Sequence, residues 1–151
     1  MISEEAEYRL EQDKRRAFIR KVVIAGIVII GLVVFAILAF RSFKLYSEAR
    51  MKLREAKNIK MTLEVADLEY YSIGTNIYDE TAEGNIRKGA FDYVNKIQDN
   101  PEGIMRLTGY DSQLRKITGF EYETEKYIVR YSHTEEGDRW QIFQIKELLD
   151  Y

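Results

Sequence analysis

The sequence predicts an α+β protein with an N-terminal transmembrane helix. This helix continues into a long amphipathic helix packed on a four-stranded antiparallel sheet. Three observations lead there. An unbroken apolar run, Val22 to Phe40, holds nineteen residues with no charge, amide or hydroxyl. A stripe of apolar and small residues at helical spacing follows it. The C-terminal third then carries four short β-prone stretches separated by turn residues.

The run reaches roughly 28 Å as a helix, about the thickness of a bilayer's hydrocarbon core. It is too long for the core of a secretory signal peptide, and Phe40-Arg41-Ser42-Phe43 is a poor cleavage site. It therefore reads as an uncleaved anchor, represented by Val22, Ile30 and Phe40, with the lipid bilayer as its first partner. Before it lies a charged tail, residues 1–21. Arg9, Lys14, Arg15, Arg16, Arg20 and Lys21 flank the run on the N-terminal side, against Arg41, Lys44, Arg50, Lys52 and Arg54 on the other. The compact cluster from Lys14 to Lys21 places the tail in the cytoplasm and the C-terminal head outside, at the cell membrane.

The stalk, residues 41–73, has its packing face at Ala49, Leu53, Ala56, Ile59, Leu63, Ala66 and Tyr70, recurring every three or four residues. Met61, Val65 and Leu68 are expected to widen that face for burial under a sheet. Neither Pro nor Gly interrupts residues 32 to 73, so one helix is expected over about residues 12 to 72, with Gly74 as its stop. The head, residues 74–151, opens with the loop TNIYDETAEGN and a helix from Ile86 to Ile97, broken at Asn100-Pro101-Glu102-Gly103. Strands are expected at Ile104–Thr108, Leu114–Tyr122, Lys126–His133 and Arg139–Lys146. Gly119 marks a bulge, and residues 134–138 form a hairpin loop.

Composition narrows the chemistry. No cysteine is present, which removes disulfides and thiolate ligands. Residues 1–60 hold 13 Lys/Arg against 7 Asp/Glu, whereas residues 61–151 hold 10 against 18. A basic half beside an acidic head suits an anionic membrane surface and not nucleic acid. His133 is the lone histidine and reads as a surface residue. Glu121, Glu123 and Glu125 alternate along a solvent face, and the acidic loop Asp79 to Asn85 lacks the ligand spacing of an EF-hand. No catalytic, metal or cofactor site is expected. Thirteen aromatics beyond residue 60 suit a thin core or an interface.

The layout of Val22–Phe40, then Leu45–Tyr71, then strands from Ile104 to Ile145 resembles the type IV pilin and pseudopilin architecture. The family's leader ending in Gly and its mature-chain Glu have no counterpart, since Phe18 follows Ala17 and the corresponding position is Val22. The resemblance implies an unprocessed, anchored relative or a stationary component of such a machine. The function expected is that of a structural or assembly subunit of a pilus-like, secretion or envelope complex. It would act by protein–protein contacts, self-association among them, and not as an enzyme. The alternative is an anchored sensor head that binds a ligand or peptide.

Overall fold

The structure, a computed structural model, describes residues 2–145, with side chains from residue 8 onward. Met1, Lys146 and Tyr151 fall outside the described residues. The fold is α+β. A long helix α1 (Ile2–Ser72) is followed by a 3-10 turn (Glu83–Asn85), a short helix α2 (Lys88–Ile97) and strands β1 (Ile104–Asp111), β2 (Lys116–Glu123), β3 (Tyr127–Thr134) and β4 (Gly137–Gln144). Helix α1 begins ten residues before the expected start. Its opening turns, rich in Glu, Ala, Leu and Gln, contain no residue that breaks a helix.

The chain divides into two units, Met1–Tyr46 and Ser47–Tyr151. In the first, α1 contains one segment long and apolar enough to cross a membrane, and none of that window is buried within the chain. Val22, Ile30 and Phe40 are 54%, 66% and 71% exposed.

In the second unit, the sheet order is β1-β2-β3-β4, antiparallel throughout. One core joins α1, α2 and the sheet. Ala56, Ile59, Leu63 and Ala66 of α1 meet Ala90 and Val94 of α2, and Leu107, Phe120, Tyr122, Val129 and Tyr131 of the strands. Burying aliphatic and aromatic side chains of this size contributes about 1.5–3 kcal/mol each. Most of the aromatics serve this core. Phe120, Tyr122, Tyr127 and Tyr131 are buried, and Tyr70, Tyr78, Phe91, Tyr93, Tyr110 and Trp140 pack around them.

Helix α2 starts two residues later than expected, because Ile86 is drawn into a β-bridge with Tyr78. Ile97, expected on the buried face of α2, is 54% exposed at the helix end, and Gln98 turns inward instead, donating to Thr62 Oγ1 at 2.8 Å. The hairpin between β3 and β4 is tighter than the expected five-residue loop. Thr134 and Gly137 pair, leaving Glu135-Glu136 as the turn. Register breaks on both sides of the Gly109–Gly119 pair, so Thr108 and Thr118 are the extra residues of adjoining bulges. Each bulge resets the inward-facing phase, from Leu107 to Tyr110 in β1 and from Ile117 to Phe120 in β2.

The outer edge of β1 is covered. Asn85 Nδ2 donates to the Leu107 carbonyl at 2.9 Å, and Gly84 lies flat against β1. Only glycine fits there: φ is +65°, and a Cβ would fall 2.1 Å from the Met105 carbonyl oxygen.

Candidate functional site

The expected packing face of the stalk grades inward along the helix. Ala49 and Leu53 are half-buried, Ala56, Ile59, Leu63 and Ala66 are buried, and Tyr70 is half-buried against the core. Met61, Val65 and Leu68 do not widen it. They are 58%, 44% and 70% exposed. The reason is angular: at about 100° per residue they centre roughly 180° from Ile59, Leu63 and Ala66. The stalk therefore has two apolar faces, and its own sheet covers one of them.

The uncovered face borders a groove of about 640 Å³ lined by Met61, Val65, Leu68, Tyr71, Leu114 and Arg115. Tyr71 is 66% exposed and Leu114, on the turn between β1 and β2, is 75% exposed. The ionic groups around it are neutralised within the chain. Arg115 Nη2 donates to Asp67 Oδ1 at 3.0 Å, to the Asp67 carbonyl at 3.0 Å and to the Thr75 carbonyl at 2.7 Å. Its guanidinium also lies 5.0 Å from the Tyr71 ring centre. Glu64 pairs with Lys60 at 2.6 Å.

Asp67 was not singled out by its sequence position, yet it organises this end of the domain. It is 5% exposed and also accepts from the Ile77 amide at 3.1 Å and from the Tyr110 hydroxyl at 2.8 Å. One carboxylate thus ties the stalk to the loop after it, to β1 and to the β1–β2 turn. Burial, and then the bond to Asp67, push the Tyr110 phenol well above its usual range. Further down the stalk, Tyr122 donates to Glu55 and accepts from the Gly103 amide. Its phenol is likewise raised, first by burial and then by Glu55.

His133 sits in a polar chain at the hairpin end of β3, on the same face as Tyr131. Its Nδ1 meets Asp138 Oδ1 at 2.7 Å and its Nε2 meets Lys116 Nζ at 3.0 Å. A neutral ring protonated at Nδ1 satisfies both contacts. Tyr131 also donates to Asp138 at 2.8 Å. The bonds from His133 and then Tyr131 hold the Asp138 carboxyl below its ordinary range. The chain spans β2, β3 and β4 and fastens the hairpin that ends at Gly137.

Of the remaining acidic candidates, Glu121, Glu123 and Asp79 are engaged, and Glu125 lies beyond the end of β2. Glu121 accepts from Arg130 at 2.8 and 3.0 Å, and Glu123 lies 3.9 Å from Arg106. In the loop, Asp79 accepts from the Thr81 amide and hydroxyl, which lower its carboxyl. These carboxylates make cross-strand pairs and a turn, work that surface acids ordinarily do.

Asp67, Leu114 and the Met61–Val65–Leu68 face are features that sequence reading missed or misplaced. The helical angle carried the signal for the face; nothing local marked Leu114. No protein-family model, curated protein or solved structure matches the chain.

Proposed function

We propose that the chain is a single-pass membrane protein serving as a structural or assembly subunit of a cell-envelope complex. Its tail is cytoplasmic, its Ser47–Tyr151 unit projects from the opposite side, and it acts by protein–protein contacts. The exposed apolar run from Val22 to Phe40 carries this reading. Each Leu, Ile, Phe or Val in such a run favours insertion by about 0.3–0.6 kcal/mol at the bilayer centre. A helix apolar on every side, with none of its surface buried by its own chain, needs lipid or other helices around it. The cluster Lys14 to Lys21 supports the orientation. The second apolar face of the stalk supports contact with protein. The plan of one long helix followed by an antiparallel sheet supports retaining the resemblance to type IV pilins as part of this proposal.

The test is made on cells expressing the full chain, which has no cysteine of its own. Membranes are extracted with alkaline carbonate, and Ser3→Cys and Glu135→Cys variants are labelled with an impermeant maleimide. The protein is expected to stay in the pellet, with Glu135→Cys labelled on intact cells and Ser3→Cys only after permeabilisation. Release into the supernatant would overturn the anchor, and the reverse labelling pattern would overturn the orientation.

A further inference from the structure

We propose that the uncovered face of the stalk is a homodimer interface. A second copy docks beside the first in the same membrane, and each copy's Leu114 enters the partner's groove over Met61, Val65 and Leu68. This rests on the membrane reading above and names the partner it leaves open.

Four observations support it. First, the stalk is apolar on opposite sides, and its own domain covers only the side of Ile59, Leu63 and Ala66. Second, one patch carries both halves of a fit. Leu114 projects at 75% exposure, and the groove beside it offers a floor of Met61, Val65 and Leu68. An isologous two-fold contact requires this arrangement, because the same surface must supply knob and hole.

Third, charge does not oppose like meeting like. Arg115 is matched by Asp67 and Glu64 by Lys60, so among the described residues the groove's lining presents no unpaired ionic group to its copy. Fourth, these apolar side chains are not scattered singly: Met61, Val65, Leu68, Tyr71 and Leu114, each at least 44% exposed, line one groove.

The membrane fixes the symmetry. Two identically inserted anchors in one bilayer are related by an axis along the membrane normal. Confinement to the same membrane also raises the effective concentration of one copy at another, which lowers the affinity the patch must supply.

The experiment uses full-length chains in native membranes, after carbonate extraction has reported separately on the anchor. A tagged Leu114→Cys copy is co-expressed with a differently tagged Leu68→Cys copy and oxidised with copper phenanthroline. A mixed disulfide is expected at roughly tenfold or greater yield over a Lys88→Cys and Leu68→Cys control pair. Adding Val65→Glu to both copies should remove that excess, as loss of a central apolar contact does. Leu68, Leu114 and Val65 are exposed, so thermal unfolding of the variants is expected to match the parent. Yield no higher than the control overturns the dimer. So does capture of a different protein in place of the second copy by a photo-crosslinker at position 68. Should carbonate release the chain, the anchor fails on its own, and the same disulfide assay on the released protein decides the dimer.

Discussion

The two faces of the stalk are built from similar residues and meet opposite fates. Ile59, Leu63 and Ala66 are essentially inaccessible, whereas Met61, Val65 and Leu68, interleaved with them in sequence, are largely exposed. Hydrophobicity does not separate the two sets. What does is the width of the partner: a four-stranded sheet covers one stripe of a helix and no more. An apolar residue on the opposite side adds little to folding the unit, and the proposed dimer would cover it.

The sharpest way to break the comparison is at the carboxylate beside both faces. Asp67→Ala removes the nearly inaccessible carboxylate that accepts from the Tyr110 hydroxyl and the Ile77 amide, and it leaves the Arg115 guanidinium with carbonyl acceptors but no counter-charge. It is expected to cost about 3–5 kcal/mol, read as a lower midpoint in chemical denaturation of the full chain in detergent. Asp67→Asn, which keeps an acceptor oxygen, should recover part of that loss.

The next contrast sets one leucine against another. Leu63→Ala opens a cavity and should destabilise by about 2–5 kcal/mol. In the same denaturation assay, Leu68→Ala should fall within about 0.5 kcal/mol of the parent. Equal losses at both positions would mean that the second face is covered within the monomer.

Alkaline pH tests the buried side without mutation. Tyr110, Tyr122 and Tyr131 are all raised, in each case first by burial and then by a carboxylate accepting the phenolic hydrogen. A raised pKa means that the folded state holds the proton more tightly than the unfolded chain. The stability these groups contribute is therefore complete below about pH 10 and is lost as pH rises beyond it. Absorbance at 295 nm should show these phenols ionising after the exposed ones and together with unfolding. Tyr110→Phe should weaken that coupling.

The smallest effect belongs to the outer surface of the sheet. Arg130→Gln removes the ion pair in which Nε and Nη2 both donate to Glu121 Oε2, and its cost should stay below about 1 kcal/mol and shrink with added salt.

Much of this arrangement could be read from the residues. The spacing of Ala56, Ile59, Leu63 and Ala66 gives the buried face, because period and packing obey the same geometry. The four strands were legible in outline, but their ends were not. The paired bulges at Thr108 and Thr118 shift the inward phase on both strands, so the alternation that marks β1 breaks at the residue where the expected strand stopped. The Asp67 cluster was illegible for a different reason: its partners lie 10, 43 and 48 residues away, and no local pattern records such a contact. The exposed face was available in the helical angle and was misassigned because apolarity was equated with burial.

The loop over β1 bears on how the protein fails. A sheet with two bare edges can add strands at both and grow into a fibre. Here Gly84 and Asn85 occupy one edge, and among the described residues β4 is left at the other. Two sheets meeting through β4 would present only covered edges outward, so the stacking stops at a pair. Replacing Gly84 by a residue with a side chain would push the loop away and uncover the second edge. Damage at a single glycine could then turn a self-limiting encounter into open-ended polymerisation.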